Sequence, residues 1–309
     1  MNGTPVTKPR HLLEYFLLQT FGRAVRLFPF TVAGKVGAAL GSFMYTVFGY
    51  RRSVTERNLR NAFPEYTDSQ IKGIAGGAFR TVGASLVEFL WTPRLTTEKV
   101  RAMVNYKNPE VMKSLLARGK GVVLLSAHFG NWELMGHSIP AHIGVPMLEI
   151  AKSQSNPLVD RVIDSFRRQL GNSTVPMEHS VRVVLKALGE GRIVGMLADQ
   201  TAPKDSVPVE FFGRPTPTFE GPAVFSLKTG APIALGFTLR EPDGTFSQEF
   251  NEVEAVELHG ASKENIALLT QKHVRLTEEF IRKHPEQWMW MHKRWKHVPD
   301  KIANDSGAA

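Results

Sequence analysis

From about residue 100 onward the apolar positions gather into short runs separated by stretches of helical period. The runs cover 121–127, 147–151, 192–198 and 232–239, and the helical stretches cover 108–117, 131–142, 156–170 and 179–189. This alternation predicts an α/β fold, a sheet with helices on its faces. Ahead of it, residues 51–92 read as two helices parted at "FPEYTDSQ", where Thr67 or Asp68 can cap the second.

The most apolar part of the chain is 10–50, "HLLEYFLLQTFGRAVRLFPF" followed by "TVAGKVGAALGSFMYTVFGYRR" when read through Arg52. A membrane span needs about 20 apolar residues, and the second stretch reaches that length only by including Lys35 and several glycines. A marginal span, a helix lying in the interface and a pair of amphipathic helices packed on the domain all fit this pattern. Arg51 and Arg52 favour a cytoplasmic position for that end, and without a small-residue cleavage site the segment is expected to be retained. The expected organisation is an N-terminal helical membrane-anchoring segment at 1–50, a domain at 51–298 and a disordered tail at 299–309.

Composition narrows the chemistry. The chain has 309 residues, 42% of them hydrophobic, which is ample for a core. It contains no cysteine, which excludes disulfides, thiolate metal sites and cysteine nucleophiles. A formal net charge of +9 points to an anionic partner. Nucleic acid fits poorly, because there is no zinc-finger spacing, no aromatic RNA-binding motif and no single basic tail.

The candidate chemistry lies in "GVVLLSAHFGNWELMG", residues 121–136. The run Val122–Leu125 reads as a strand buried on both faces, and Asn131 offers an N-cap for the next helix, with Glu133 in its first turn. His128 therefore sits at the carboxyl end of a strand, where open α/β sheets bind ligands. With His128 in the loop and Glu133 just inside the helix, the carboxylate can face the imidazole, the usual arrangement for a general base. Gly130 permits the tight turn between them. The same residues fit a plainer use, a polar strand end and a dipole-compensating acid. His137 and His142 match no zinc-site spacing, so no metal or other cofactor is expected.

"SAHFGNWE" resembles the H-x-x-x-x-D/E motif of glycerolipid-type acyltransferases, in the form found in the late acyltransferases of lipid A biosynthesis, the lauroyl and myristoyl transferase family. Further segments resemble that family in the same order: "RRSVTERNLRNAFPE" at 51–65, "NPLVDRVIDSFRRQLGN" at 156–172, "GRIVGMLADQ" at 191–200, "VPVEFFGRPTPTFEGPAVFSLKTGAPI" at 207–233 and "HPEQWMWMHKRWK" at 284–296.

The resemblance implies a mixed sheet flanked by helices, of the glycerolipid acyltransferase type, in a membrane-bound enzyme of the bacterial inner membrane whose active site faces the cytoplasm. It implies transfer of a fatty acyl chain from acyl carrier protein to a hydroxyl of a lipid A precursor. His128 would be the general base and Glu133 its carboxylate partner, with no covalent intermediate. Arg168 falls where the family carries a functional arginine, although Arg167 beside it leaves the assignment open by one, and both also suit a solvated helix face. Asp199 falls where the family has an active-site aspartate, and a capped turn would use it equally well. Arg168, Asp199 and Asn131 are the candidate substrate-binding residues. A related acyltransferase acting on another glycolipid, a phosphatidylinositol mannoside or an aminolipid, with acyl-coenzyme A as donor, fits the same residues. So does a non-catalytic protein that binds anionic membranes. The tryptophans and cations of 287–296 suit either a membrane interface or a core.

Overall fold

The computed structural model describes residues 8–255 and 258–299. The proposed tail, apart from Pro299, lies outside these residues.

The described residues begin with two helices, α1 (Pro9–Val25) and α2 (Phe30–Phe43), and a π-helical turn at Met44–Phe48 follows directly on α2. Next come α3 (Arg52–Ala62) and α4 (Asp68–Phe89), and Thr67 caps α4 in a reciprocal box with Gln70. Of the two cap candidates, Thr67 is the cap and Asp68 the acid of the first turn. Helix α2 lies backbone to backbone on α4: a Cβ at Gly37 would stand 2.3 Å from the Gly83 carbonyl oxygen. That packing leaves Val36, Leu40 and Phe43 on the outer side of α2, and Leu12, Leu13, Phe16, Leu17 and Phe21 of α1 are also exposed. Among the described residues no helix is long and apolar enough to cross a membrane.

The remainder is the expected α/β alternation. Helix α5 (Thr97–Met103), strand β1 (Val104–Tyr106) and α6 (Pro109–Ala117) precede β2 (Val122–Ser126), α7 (Trp132–Ile143), β3 (Met147–Ala151), α8 (Pro157–Arg167), β4 (Ser173–Pro176), α9 (Ser180–Gly189) and β5 (Ile193–Leu197). A short hairpin of β6 (Pro208–Glu210) and β7 (Pro215–Pro217) leads to α10 (Gly221–Thr229), β8 (Ile233–Arg240), β9 (Phe246–Val253) and α11 (Lys263–Lys283). The main sheet runs β1-β9-β8-β2-β5-β3-β4. Strands β8, β2, β5, β3 and β4 are parallel neighbours, β9 is antiparallel to β8, and β1 is parallel to β9. The sheet is therefore mixed, with helices on both faces, as the sequence implied.

Strand β2 sits between β5 and β8 with all five residues buried, which accounts for its uninterrupted apolar run. The carboxyl ends of the five co-directional strands share one edge of the sheet. The segment after α11 is core: Trp288 is 2% exposed, Trp290 fully buried and Trp295 5% exposed. Of its two readings the packed one holds, and these indoles pack against the rings of Phe63, Phe211 and Phe212.

Candidate active site

The register of β2 on β5 brings two sequence candidates together. Ser126 pairs with Leu197 at the end of the ladder, so His128 and Asp199 each stand two residues beyond the same rung. Asp199 accepts the backbone N–H of His128 at 2.8 Å through Oδ2 and faces its ring Nδ1 at 2.8 Å through Oδ1. The Trp288 indole donates to the same Oδ2 at 2.8 Å. Burial pushes the Asp199 carboxyl up, but the charge and hydrogen bonds of His128, with the indole, outweigh it and hold it below the usual carboxylate range. An ionised carboxylate only accepts, so a neutral His128 keeps its proton on Nδ1 and its lone pair on Nε2. The imidazole is 19% exposed, and the Gln200 carboxamide nitrogen lies 3.2 Å from Nε2.

The turn that carries His128 is fixed from three sides. Gly130 donates to the Gln287 carbonyl at 2.8 Å, Asn131 N–H to the Thr238 carbonyl at 3.2 Å, and Met289 N–H to the His128 carbonyl at 3.0 Å. Ser85 of α4 donates to the Gly130 carbonyl at 2.6 Å. Gly130 has φ of +53°, and a Cβ there would stand 1.8 Å from the Thr238 carbonyl oxygen. No other residue fits this turn.

The structure revises the other site expectations. Glu133 is not the hydrogen-bond partner of His128: its two carboxylate oxygens take Arg167 Nη2 at 2.6 Å and Nε at 3.0 Å. The reason is its place in the first turn of α7, which aims it at the last turn of α8 rather than back at the loop. Burial pushes its carboxyl up, yet Arg167 outweighs this and holds it below its ordinary value. The arginine that reaches the site region is thus Arg167, 21% exposed. Arg168, 55% exposed, turns outward to Asp164 at 2.9 Å and to the Thr174 hydroxyl. Asn131, a substrate-binding candidate from the sequence, is engaged by the fold. Its Oδ1 caps Leu134 N–H at 2.9 Å, and its Nδ2 donates to buried Glu88 at 2.8 Å, a carboxylate that also grips Arg240 at 2.6 and 2.7 Å.

The two histidines of α7 are both built into the fold. His137 bridges the Glu133 and Phe166 carbonyls, and His142 stacks on Tyr106. Behind Glu133 and Arg167 lies a second carboxylate, Glu149 in the middle of β3, accepting from Asn172 at 3.0 Å. Burial, then the charge of Glu133, pushes it up to about 8. A cleft of about 1030 Å³ opens elsewhere, between α2, α4 and the β8–β9 turn, with Glu88 and Arg240 in its wall and Lys35, Arg80 and Lys107 among its cations. Neither His128 nor Asp199 lines it.

A base oriented by a carboxylate, with no cysteine in the chain, suits transfer to a hydroxyl by direct attack. Residues 4–297 match the profile of the family described as bacterial lipid A biosynthesis acyltransferase. The chain belongs to this family. It is an acyltransferase of the lipid A biosynthesis type, and its similarities run nearly end to end. The lipid A biosynthesis lauroyltransferase of Escherichia coli K12 is 25% identical over 306 residues, 97% of this chain and 96% of the relative. The lipid A biosynthesis palmitoleoyltransferase of the same organism is 25% identical over 293 residues, 94% of this chain and 93% of the relative. A phosphatidylinositol mannoside acyltransferase of Mycobacterium tuberculosis H37Rv is 27% identical over 188 residues, 60% of this chain and 57% of the relative.

Sequence reasoning did not assign Trp288, Gln200 or Glu149 to this region. Trp288 stood in a tryptophan-rich segment with two uses; burial decides for the core, and its contact with Asp199 ties it to the site. Gln200 adjoins Asp199 in "ADQ", which was the available signal for it.

Proposed function

We propose that this acyltransferase moves a fatty acyl chain from acyl carrier protein to a hydroxyl of a lipid A precursor, a phosphorylated glycolipid, at the cytoplasmic face of the bacterial inner membrane. The observation that carries the reading is the His128–Asp199 pair at the edge of the sheet, with Nε2 bearing the lone pair. His128 takes the acceptor's proton as its oxygen attacks the thioester carbonyl, and Asp199 stabilises the imidazolium that forms. Glu133 acts on His128 through its charge alone and holds Arg167 in place. The transfer forms no acyl-enzyme.

Three features support the partners. The formal charge of +9 suits an acidic carrier protein and an anionic lipid. The exposed apolar side chains of α1, α2 and the π-turn suit an interfacial position on the bilayer. The near full-length relatives are named for lipid A biosynthesis.

The test is mass spectrometry of total lipids from cells with and without the protein, paired with transfer assays using acyl carrier protein and acyl-coenzyme A as donors. The expected result is one added acyl mass on a lipid A precursor, abolished by His128→Ala, with carrier protein the better donor. The similarity to the mannoside acyltransferase favours a second reading, in which the added mass appears on a phosphatidylinositol mannoside. Lipid binding with no acylation of any acceptor would leave only the non-catalytic reading.

A further inference from the structure

Acyl transfer from a thioester passes through a tetrahedral intermediate whose oxygen carries a full negative charge, and a hydrogen-bond donor aimed at that oxygen commonly makes the largest contribution to rate. Resting on the acyl-transfer reading above, we propose that Gln200 is a catalytic residue whose carboxamide N–H stabilises this oxyanion.

Several donors around His128 are already engaged. His128 N–H is held by Asp199, Phe129 N–H by the Ala127 carbonyl, Gly130 N–H by Gln287 and Asn131 N–H by Thr238. Arg167 is bidentate on Glu133, and Arg168 faces Asp164 on the outside of the molecule. The Gln200 carboxamide differs from all of these. Its partner is the one atom the reaction must uncover, Nε2 of His128, 3.2 Å away. A lone pair at Nε2 requires the amide to present its N–H side to the ring.

The position of Gln200 is set by its neighbours. Asp199 before it is held by three donors. Thr201 after it contacts the His292 ring through its backbone N–H and hydroxyl at 3.4 Å, and its hydroxyl donates to the Lys293 carbonyl. With both flanks tied down, adjustment falls to the Gln200 side chain.

The acceptor hydroxyl displaces the carboxamide from Nε2 and hydrogen-bonds to the lone pair. Its oxygen attacks the thioester carbonyl carbon, the new C–O bond forms, the hydroxyl proton passes to Nε2, and the C=O π pair moves onto the carbonyl oxygen. At a near-attack separation of about 3–3.5 Å between hydroxyl oxygen and carbonyl carbon, that oxygen comes within reach of the displaced carboxamide N–H. Collapse restores C=O and breaks C–S, and the departing thiolate takes the proton back from Nε2. The products are an ester and a free thiol, with His128 neutral again.

The test compares wild type with Gln200→Met, which keeps the length and removes the donor, and Gln200→Glu, which puts an acceptor in its place. Steady-state transfer is measured with acyl carrier protein thioester and glycolipid acceptor, alongside thermal unfolding. We expect kcat to fall about 10²- to 10³-fold in both variants, with KM for either substrate within about threefold and Tm unchanged. A kcat within about threefold of wild type in Gln200→Met overturns the inference and hands the oxyanion to the first-turn amides of α7. A rise in kcat with a lower acceptor KM also overturns it, since Gln200 would then only obstruct the base. If both variants lose activity and Tm together, Gln200→Asn decides: it retains the donor on a side chain one methylene shorter, so a partial recovery of kcat supports the role and none overturns it. Absence of transfer by the wild-type chain overturns the underlying reading, whereas an active wild type with active Gln200 variants overturns this inference alone.

Discussion

Asp199 holds His128 twice, through the ring Nδ1 and through the backbone N–H, each at 2.8 Å, although 71 residues separate them in sequence. Both lie two residues past the Ser126–Leu197 rung, so strand register, not loop conformation, sets their meeting. An amide at 199 could turn its NH₂ toward Nδ1 and favour the wrong tautomer, with the proton on Nε2. Asp199→Asn is therefore expected to lower kcat by about 10²- to 10⁴-fold, the range for loss of general-base function, with little change in Tm. Glu133→Gln leaves the tautomer intact and should retain more activity than Asp199→Asn. Initial rates of the two variants side by side check the order, and the reverse order would restore Glu133 as the orienting carboxylate.

The two adjacent arginines should separate cleanly. Removing one partner of a well-buried ion pair costs roughly 3–5 kcal/mol because the other charge is left uncompensated, whereas an exposed pair contributes about 0–1 kcal/mol. Arg167→Ala strands Glu133 and should destabilise the fold by an amount toward the first range, with activity lost as well. Arg168→Ala removes an exposed contact to Asp164 and should leave stability within about 1 kcal/mol and turnover near wild type. Urea unfolding and initial rates measure both, and equal effects from the two would mean that Arg167 has no special place.

The contrast shows which parts of the site are legible in one dimension. The alternation of runs located β2, β5 and β8 because strands buried between neighbours are apolar along nearly their whole length, and it located β3 in spite of Glu149 at its centre. Strand β9, "FSQEFNEV", carries polar residues along its length and gave no such run, since it lies beside only short β1 on its outer side. His128 and Asp199 were visible as polar residues ending apolar runs. Their pairing was not, because sequence proximity favoured Glu133 and only the strand register brings Asp199 opposite. A helical charge pattern cannot say which of two neighbouring arginines points inward. Here α8 ends at Arg167, whose side chain turns to α7, while Arg168 as the C-cap points back along its own helix.

Glu149 makes stability depend on pH in a direction opposite to most carboxylates. Its folded-state value lies near 8, raised by burial and by Glu133, against about 4.3 when unfolded. The folded chain thus holds a proton that the unfolded chain has released. Its contribution is fully present below about pH 4 and is lost as pH rises toward 8, with a slope of at most about 1.4 kcal/mol per pH unit. Glu149→Gln, permanently neutral and still able to accept from Asn172, should flatten that slope and raise stability at pH 8 relative to wild type. Parallel wild-type and variant stability curves between pH 5 and pH 8 in urea would show that Glu149 is ionised in the fold.

The N-terminal apolar face is expected to bind bilayers by lying on them. Leu13 and Phe16 of α1 are 59% and 64% exposed. The helix itself is fixed to the domain, because Asn156 at the start of α8 donates to the His11 carbonyl at 3.0 Å and to Glu14 at 2.8 Å. A rigid helix with exposed leucines and phenylalanine can enter the headgroup region without unfolding anything beneath it. Full burial of such a side chain is worth about 1.5–3 kcal/mol, and interfacial burial a fraction of that, so replacing two of them should weaken partition by at least about tenfold. Leu13→Ser with Phe16→Ser should therefore lower binding to anionic phospholipid vesicles while leaving Tm unchanged, as read by sedimentation with the vesicles. Leu268→Ser is the control, since Leu268 is 54% exposed on α11, away from this segment in sequence, and should leave partition unaltered. Equal vesicle binding by the double variant and wild type would remove α1 from the membrane contact and shift attention to the π-turn, where Val47 and Phe48 are also exposed.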